Sequence, residues 1–235
     1  MAEQIKRLHL GCGRNTPEGW INLDGSWNAR LARYPTLRRL ARTLHILPAS
    51  LLDIPWSPDI LNHDVRNPLP FQDNSLSAVY ASHLLEHLYL EEAKRLLRDC
   101  FRVLHPNGIL RMVVPDLRAI VLEYMGDKPF GKSSDEIEVN SRADRLNKGL
   151  LLRNPEPPSG DILYKVYTAL KDLHSHKWMY DAESLIMYFK WAGFTDVQEM
   201  EFHRSRIKGI ERIEQAGRVL NGAGICVEGV KPKVE

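Results

Sequence analysis

Cysteine is scarce in this chain: three in 235 residues, Cys12, Cys100 and Cys226, far apart and in no paired spacing. That argues against a disulfide framework and makes a reducing compartment the simpler setting. No run approaches the ~20 apolar residues that a membrane span needs. The opening MAEQIKRLHL has neither a long apolar stretch nor a small-residue cleavage pattern, so no signal peptide is expected. Charge of either sign is not in excess: the formal net charge is +2, which argues against wholesale nucleic-acid binding and leaves room for local basic patches. There is no internal repeat and no low-complexity tail. The expectation is a soluble, cytoplasmic protein.

Hydrophobic residues make up 43% of the chain, enough for a buried core of ordinary size. Short apolar runs alternate with longer amphipathic ones, the pattern of an α/β sheet. The spacing predicts strands over 6–10, 20–23, 60–64, 78–82, 109–114, 197–202 and 223–230. Between the fourth and fifth, LEEAKRLLRDCFRVL places Ala93, Leu96, Leu97, Cys100, Phe101 and Leu104 at helical spacing. His105-Pro106-Asn107-Gly108 then stops that helix. A second helix, AESLIMYFKWAGF, is capped by Asp181 and ended by Gly193.

Two segments exceed a minimal strand-and-helix repeat. The first, about 27–59, contains ARLARYPTLRRLARTLHIL, with Arg30, Arg33, Arg38, Arg39 and Arg42 and no acid among them. The second, about 126–177, is rich in charge, proline and glycine, with helical pieces around 136–151 and 162–173. Insertions in such folds usually sit over the carboxyl ends of the strands, where ligands bind.

In RLHLGCGRNTPEGWINLD an apolar run ends in Gly11-Cys12-Gly13 and a second ends in Asp24. A glycine pair after a strand is by itself only a tight turn. However, Asp24 ends the second run where a carboxylate can accept both ribose hydroxyls of an adenosine. Asp64 ends the third run, at the height of an adenine amino group, and Ser82-His83 ends the fourth. Three strands in succession deliver a polar residue at their carboxyl ends, which suits one elongated nucleoside across the sheet edge.

With these residues in view the chain resembles the class I S-adenosylmethionine-dependent methyltransferases, and most closely a branch found in bacterial polysaccharide clusters. The resemblance rests on LHLGCGRNTPEGWINLD, DVRNPLPFQDNSLSAVYASHLLEHL, RVLHPNGILRMVVPDL and HKWMYDAESLIMYFKWAGF, in the family's order. It implies a three-layer Rossmann-like sheet of seven strands with the last strand antiparallel. One domain would cover 1–235, capped by the two helical insertions. It also implies that Gly11, Cys12 and Gly13 line the methionine portion of the cofactor, Asp24 the ribose, Asp64 with Val65 the adenine, and Ser82 the carboxylate side. His83, Glu86 and His87 would face the methyl group. His9 stands where the family usually has an acid and joins the cofactor-binding set, and Asn15 replaces a third glycine. Only six residues separate Gly13 from Trp20, too few for the usual crossover helix. Thr16-Pro17-Glu18 could form one capped turn.

Methyl transfer from a sulfonium needs no metal, but a hydroxyl acceptor needs a base. His83 is the first candidate, with helix capping or a bond to a backbone carbonyl as the alternative; His87, at i+4, is the second, with a packing role as the alternative. Asp116, in VVPDL, is a third, with an N-cap role as its rival. His174 and His176 lie in a motif that the resemblance places near the acceptor, beside Trp178 and Tyr180 as an aromatic wall or core. His-x-His can bind metal, but no further ligand is evident, so no metal is expected. The arginine-rich insertion has three readings: a solvated face, a peripheral contact with anionic lipid, or a clamp for a phosphorylated acceptor. The expected reaction is methylation of a hydroxyl on a saccharide or an anionic sugar-containing acceptor, leaving S-adenosylhomocysteine. N- or O-methylation of a small secondary metabolite, and a non-catalytic binding module, are the alternatives.

Overall fold

Strand β1 (Lys6–Leu10) sends Leu8 and Leu10 to one side and buries His9 on the other. A central parallel strand must fill both faces in this way. In the computed structural model, which describes residues 6–43, 56–126, 141–152, 175–219 and 224–233, β1 lies inside a seven-stranded sheet, with a strand on either side. The other strands, in chain order, are β2 (Ile21–Asp24), β3 (Leu61–Asn62), β4 (Leu76–Ser82), β5 (Leu104–Pro115), β6 (Thr195–Met200) and β7 (Gly224–Val230). The spatial order is β3-β2-β1-β4-β5-β7-β6. The first five strands are parallel, and β7 alone runs against them, pairing antiparallel with both β5 and β6. Seven strands with a reversed last one is the expected architecture.

Boundaries differ from expectation in two informative places. β3 is only two residues long, because Asp64 already belongs to a turn in which Asn67 N donates to its carbonyl at 2.9 Å. β5 starts earlier, at Leu104: His105-Pro106-Asn107-Gly108 stops the helix, but the chain passes straight into the strand, with Asn107 at φ 65°.

One face of the sheet carries helices. Helix α3 (Leu90–Val103) buries Ala93, Leu96, Leu97, Cys100 and Val103, the positions its apolar spacing predicts. Lys231 Nζ donates to the carbonyls of Phe101 and Leu104, both at 2.7 Å, where the helix leaves its last acceptors unfilled. Helix α6 (Ala182–Trp191) starts at Asp181, which accepts from Ser184 N at 2.8 Å, and Gly193 ends it at φ 106°. Leu8, Leu10, Val79, Leu110, Leu185 and Phe189 are among the fully buried residues of this core.

The other face is different. No residue between β1 and β2 is helical, as the short spacing requires. The β6–β7 connection covers that face instead, through a 3-10 turn (Ile210–Arg212) and helix α7 (Ala216–Val219). Ile207, Ile210, Ile213 and Val219 pack on Trp20, Tyr80 and Val113. At the centre Arg111 of β5 bonds Glu214 of the connection at 2.9 and 3.0 Å and Glu228 of β7 at 3.0 Å, with all three side chains fully buried.

The first insertion opens with α1 (Trp27–Ala32) and α2 (Pro35–Thr43), separated before the proline that begins the second helix. Ala29 is fully buried against Cys12 and Ile60, so this segment starts directly beside the glycine turn. After β5, α4 (Leu117–Met125) is joined to α5 (Arg142–Leu150) by an Arg145–Glu123 ion pair at 2.5 Å. The expected helical piece at 162–173, and His174, lie outside the described residues. Among the described residues, no helix is long and apolar enough to cross a membrane.

Candidate functional site

At the end of β1 the chain turns through Gly11 and Gly13, both in the left-handed region at φ 61° and 55°. A Cβ on Gly11 would meet Leu84 Cδ1 at 3.1 Å, whereas one on Gly13 would meet nothing within 4 Å. The first glycine therefore serves close packing, and the second leaves open space above the turn. β2 ends on Asp24, whose Oδ2 accepts from Gly13 N at 2.9 Å and whose Oδ1 accepts from Ser26 N at 2.8 Å. Only 8% exposed, the carboxylate is held rigidly while each oxygen keeps a further lone pair.

Beside this turn lies a cleft of about 460 Å³. His9, Gly11, Cys12 and Ser82 form one wall; Ile213, Gln215 and Arg218, from the β6–β7 connection, form the other. Asn15 Nδ2 donates to the Ile213 carbonyl at 2.7 Å and joins the two walls. Ser82 Oγ and His9 Nδ1 are buried without a hydrogen-bond partner among the described residues. Burial pushes the His9 imidazole down to about 4 against weaker opposing bonds from Asn22 and Asn15, so this ring is neutral at pH 7. Burial also pushes the Cys12 thiol up to about 12, which makes it a packing group rather than a nucleophile. Arg14 and Arg218 add two guanidinium groups to the same cleft.

Asp64 is not turned toward a ligand. Its carboxylate accepts from Arg66 at N (3.0 Å), Nε (2.9 Å) and Nη2 (2.5 Å), a bidentate pair closed on a surface turn. Val65 is half-buried against the apolar core.

The second half of the site begins where β4 ends. His83 adopts φ 52°, and its N–H donates to the Val113 carbonyl at 2.9 Å. Its Nε2 lies 2.8 Å from the Arg218 carbonyl and its Nδ1 lies 3.3 Å from Glu86 Oε1. Burial works to lower its pKa, but the Glu86 carboxylate and the Arg218 carbonyl outweigh it and raise the value above that of an ordinary imidazole. With both nitrogens engaged, His83 is a strut between β4 and the connection rather than a free base, which corrects its standing as first candidate.

Glu86 lies in the short 3-10 turn Leu85–His87 and is fully buried. Neither carboxylate oxygen has hydrogen-bond geometry to any described residue; the His83 contact is one of distance only. His87 Nδ1 sits 3.2 Å from the Ser175 carbonyl. His176, 8% exposed, has an Nδ1 with no partner among the described residues. Its pKa is lowered chiefly by burial, against the Glu86 charge and with that of His87. The two rings stand edge to face, 5.1 Å apart. The segment carrying His176 is fastened here by Lys177 N to the Glu86 carbonyl at 2.7 Å and His176 N to the Leu151 carbonyl at 2.8 Å.

Asp116 takes the role of its rival reading: it N-caps α4, accepting from Arg118 N at 2.9 Å. Of the expected aromatic wall, Tyr180 is core at 1% exposure while Trp178 is 42% exposed. The sequence reading missed Arg14 and Arg218 altogether. It met Glu86 only through the resemblance, although one acid inside the apolar run LLEHL is a usable signal.

Residues 8–112 match the family model described as "Methyltransferase domain". No curated protein sequence matches the chain. Similar solved structures include a SAM-dependent methyltransferase from Thermotoga maritima, 17% identical over 96% of this chain and 81% of that one, with a TM-score of 0.45. Another is from Archaeoglobus fulgidus, 16% identical over 97% and 86%, with a TM-score of 0.46. A third is PigF with SAH, 13% identical over 97% and 50%, with a TM-score of 0.45. The site suits S-adenosylmethionine on its own terms. Asp24 offers two fixed acceptors for a ribose diol, the glycine turn leaves room for the chain of the ligand, and Arg14 and Arg218 match an amino-acid carboxylate.

Proposed function

We propose that this protein is an S-adenosylmethionine-dependent methyltransferase and that it acts on a hydroxyl, carried by a saccharide or another anionic sugar-containing acceptor. The observation that supports a hydroxyl is the convergence of Glu86, His87 and His176 just beyond β4. An amine acceptor needs only to be unprotonated, whereas an alcohol must lose its proton as it attacks. A buried cluster with unpartnered lone pairs, four residues past Ser82 of the cofactor cleft, is suited to that task.

When bound, the cofactor supplies a methyl group already activated on a sulfonium, so the protein contributes alignment and exclusion of water. Asp24 holds the ribose end, and Arg14 with Arg218 the amino-acid end. Leu84 packs against Gly11. The anionic character of the acceptor is supported by the first insertion, whose Arg30, Arg33, Arg39 and Arg42 are exposed. Their helices leave β2 three residues after Asp24, and the two insertions together would form a cap over the acceptor. Arginine suits phosphate because its planar fork binds two oxygens at once.

The test is a labelled-methyl transfer assay against nucleotide-linked sugars, neutral sugars and small amines. Turnover with the nucleotide-linked sugars is expected, falling with added salt as the Debye length shrinks from about 10 Å toward ~3 Å. Methylation confined to amines would overturn the proposal, and cofactor binding without turnover on any acceptor would favour a binding module.

A further inference from the structure

We infer that Glu86, His87 and His176 form a binding site for one divalent transition-metal ion. Each offers one ligand atom, and these atoms lie within 4.8 Å of one another. A tetrahedral ion bound at ~2.1 Å holds its ligands roughly 3.4 Å apart, so the three groups need close in by about 1 Å or a little more. Rotation of side chains on a turn and a loop supplies that.

Independent observations point to a ligand. Glu86 is fully buried: His83 Nδ1 stands 3.3 Å from its Oε1 without hydrogen-bond geometry, its Oε2 has no partner, and His176 Nδ1 is buried without one, all among the described residues. Buried carboxylates and imidazoles are normally satisfied by protein, water or metal. A relay of hydrogen bonds within the cluster would explain them equally well, but the three side chains make none to one another.

The surroundings are those of a ligand set. His87 Nδ1 lies against the Ser175 carbonyl, which fixes its proton there and leaves the Nε2 lone pair available. His83 Nδ1, 3.3 Å from Glu86 Oε1, and the Lys177 N–H on the Glu86 carbonyl hold the carboxylate's own segment in place. Two imidazoles and one carboxylate favour zinc, manganese, iron or cobalt over magnesium or calcium, which take oxygen ligands. Three protein ligands also leave coordination positions open. Resting on the hydroxyl reading above, the use of such an ion is to bind the acceptor hydroxyl and make its proton more acidic.

The full chain, stripped with a chelator, is titrated with cobalt(II), followed by its visible spectrum, and with manganese(II), followed by spin resonance. One saturable equivalent is expected. Glu86→Gln and His176→Gln should each weaken it at least ~10-fold, the lower end for altering a metal site's partners. Calorimetry with S-adenosylhomocysteine, unchanged within about twofold, shows that the variants are folded. Binding by wild type should also raise its melting temperature, and above the dissociation constant the rise should follow the logarithm of cation concentration. No saturable binding up to about 1 mM in a chain that still binds S-adenosylhomocysteine, or wild-type affinity retained in both variants, overturns the site. Cation binding lost in both variants, in a protein that methylates only amines, upholds the site and overturns the hydroxyl reading alone.

Discussion

The two faces of the sheet solve the same burial problem with different chemistry. Under α3 and α6 the strands present Leu8, Leu10, Val79, Leu110 and Val114, an apolar layer that only has to be filled. On the other side the same strands present His9, Tyr80, Ser82, Arg111 and Glu228, and the covering segment answers with Glu214. The first face lies under helices that follow directly in sequence. The second lost its helix to a short β1–β2 turn and borrows its cover from residues some two hundred positions later. That borrowed cover is also the far wall of the cleft beside the glycine turn. A polar, buried attachment therefore holds the geometry on which ligand binding depends, and every partner in such a network is needed.

The largest effect that could break this comparison is the removal of one partner. Glu214→Ala leaves Arg111 buried with a single carboxylate and should cost about 3–5 kcal/mol in urea unfolding. Replacing Arg111, Glu214 and Glu228 together with apolar residues of similar volume should cost far less, or stabilise. Leu97→Ala on the helical face should cost about 2–5 kcal/mol, with no partner whose removal restores it. A loss under about 1 kcal/mol for Glu214→Ala would mean the polar face is packed like the apolar one.

Next in size is the acid sensitivity of the cofactor face. His9 has a folded pKa of about 4, below its unfolded value near 6.5, because burial disfavours the charged ring. The unfolded chain therefore binds the extra proton first. The stability held by neutral His9 is complete above pH ~6.5 and is lost as pH falls toward 4, amounting to about 3 kcal/mol at ~1.4 kcal/mol per unit. His9→Gln should flatten the wild-type slope between pH 6 and 4. An unchanged slope would place the acid sensitivity elsewhere.

The same contrast decides what could be read from the sequence. Strand positions, the α3 stripe, the Asp181 cap and the end of β2 at Asp24 are local patterns, governed by residues a few positions apart. The missing crossover helix was legible from six residues between Gly13 and Trp20. What replaced it was not, because nothing near Ile213 or Arg218 signals that it will face Ser82. The pairing of His87 with His176 is hidden for the same reason: it is made by backbone bonds between segments far apart in the chain. Asp64 misled because its neighbour Arg66 claims the carboxylate, a contact that spacing alone does not reveal.

Smaller again is the effect of removing the fixed acceptor at the end of β2, beside the glycine turn. Asp24→Ala should weaken S-adenosylhomocysteine about ten- to a hundredfold by calorimetry, since a charge-assisted hydrogen bond contributes ~1.5–3 kcal/mol. Arg66→Ala, which removes the ion pair on Asp64, should change that affinity much less. If Asp24→Ala binds as wild type does, the ribose is held elsewhere and the cleft has been read in the wrong direction.

The smallest effect concerns His83, and its sign is the reverse of that for His9. Its folded pKa is raised: burial pulls it down, but Glu86 on one nitrogen and the Arg218 carbonyl on the other pull it up further, against the Arg218 charge. A raised value means that the folded state binds the proton more tightly than the unfolded chain. The stabilisation is thus fully present below pH ~6.5 and disappears as pH rises through the folded value. The ring is 21% exposed, so solvent screens part of the interaction and the effect should be modest. Wild type should exceed His83→Gln in unfolding free energy at pH 6, and that margin should narrow by pH 8. A margin that widened instead would mean that folding favours the neutral ring. His83 would then hold a free lone pair beside the cofactor cleft, and the strut assigned here would again be the first candidate for the base.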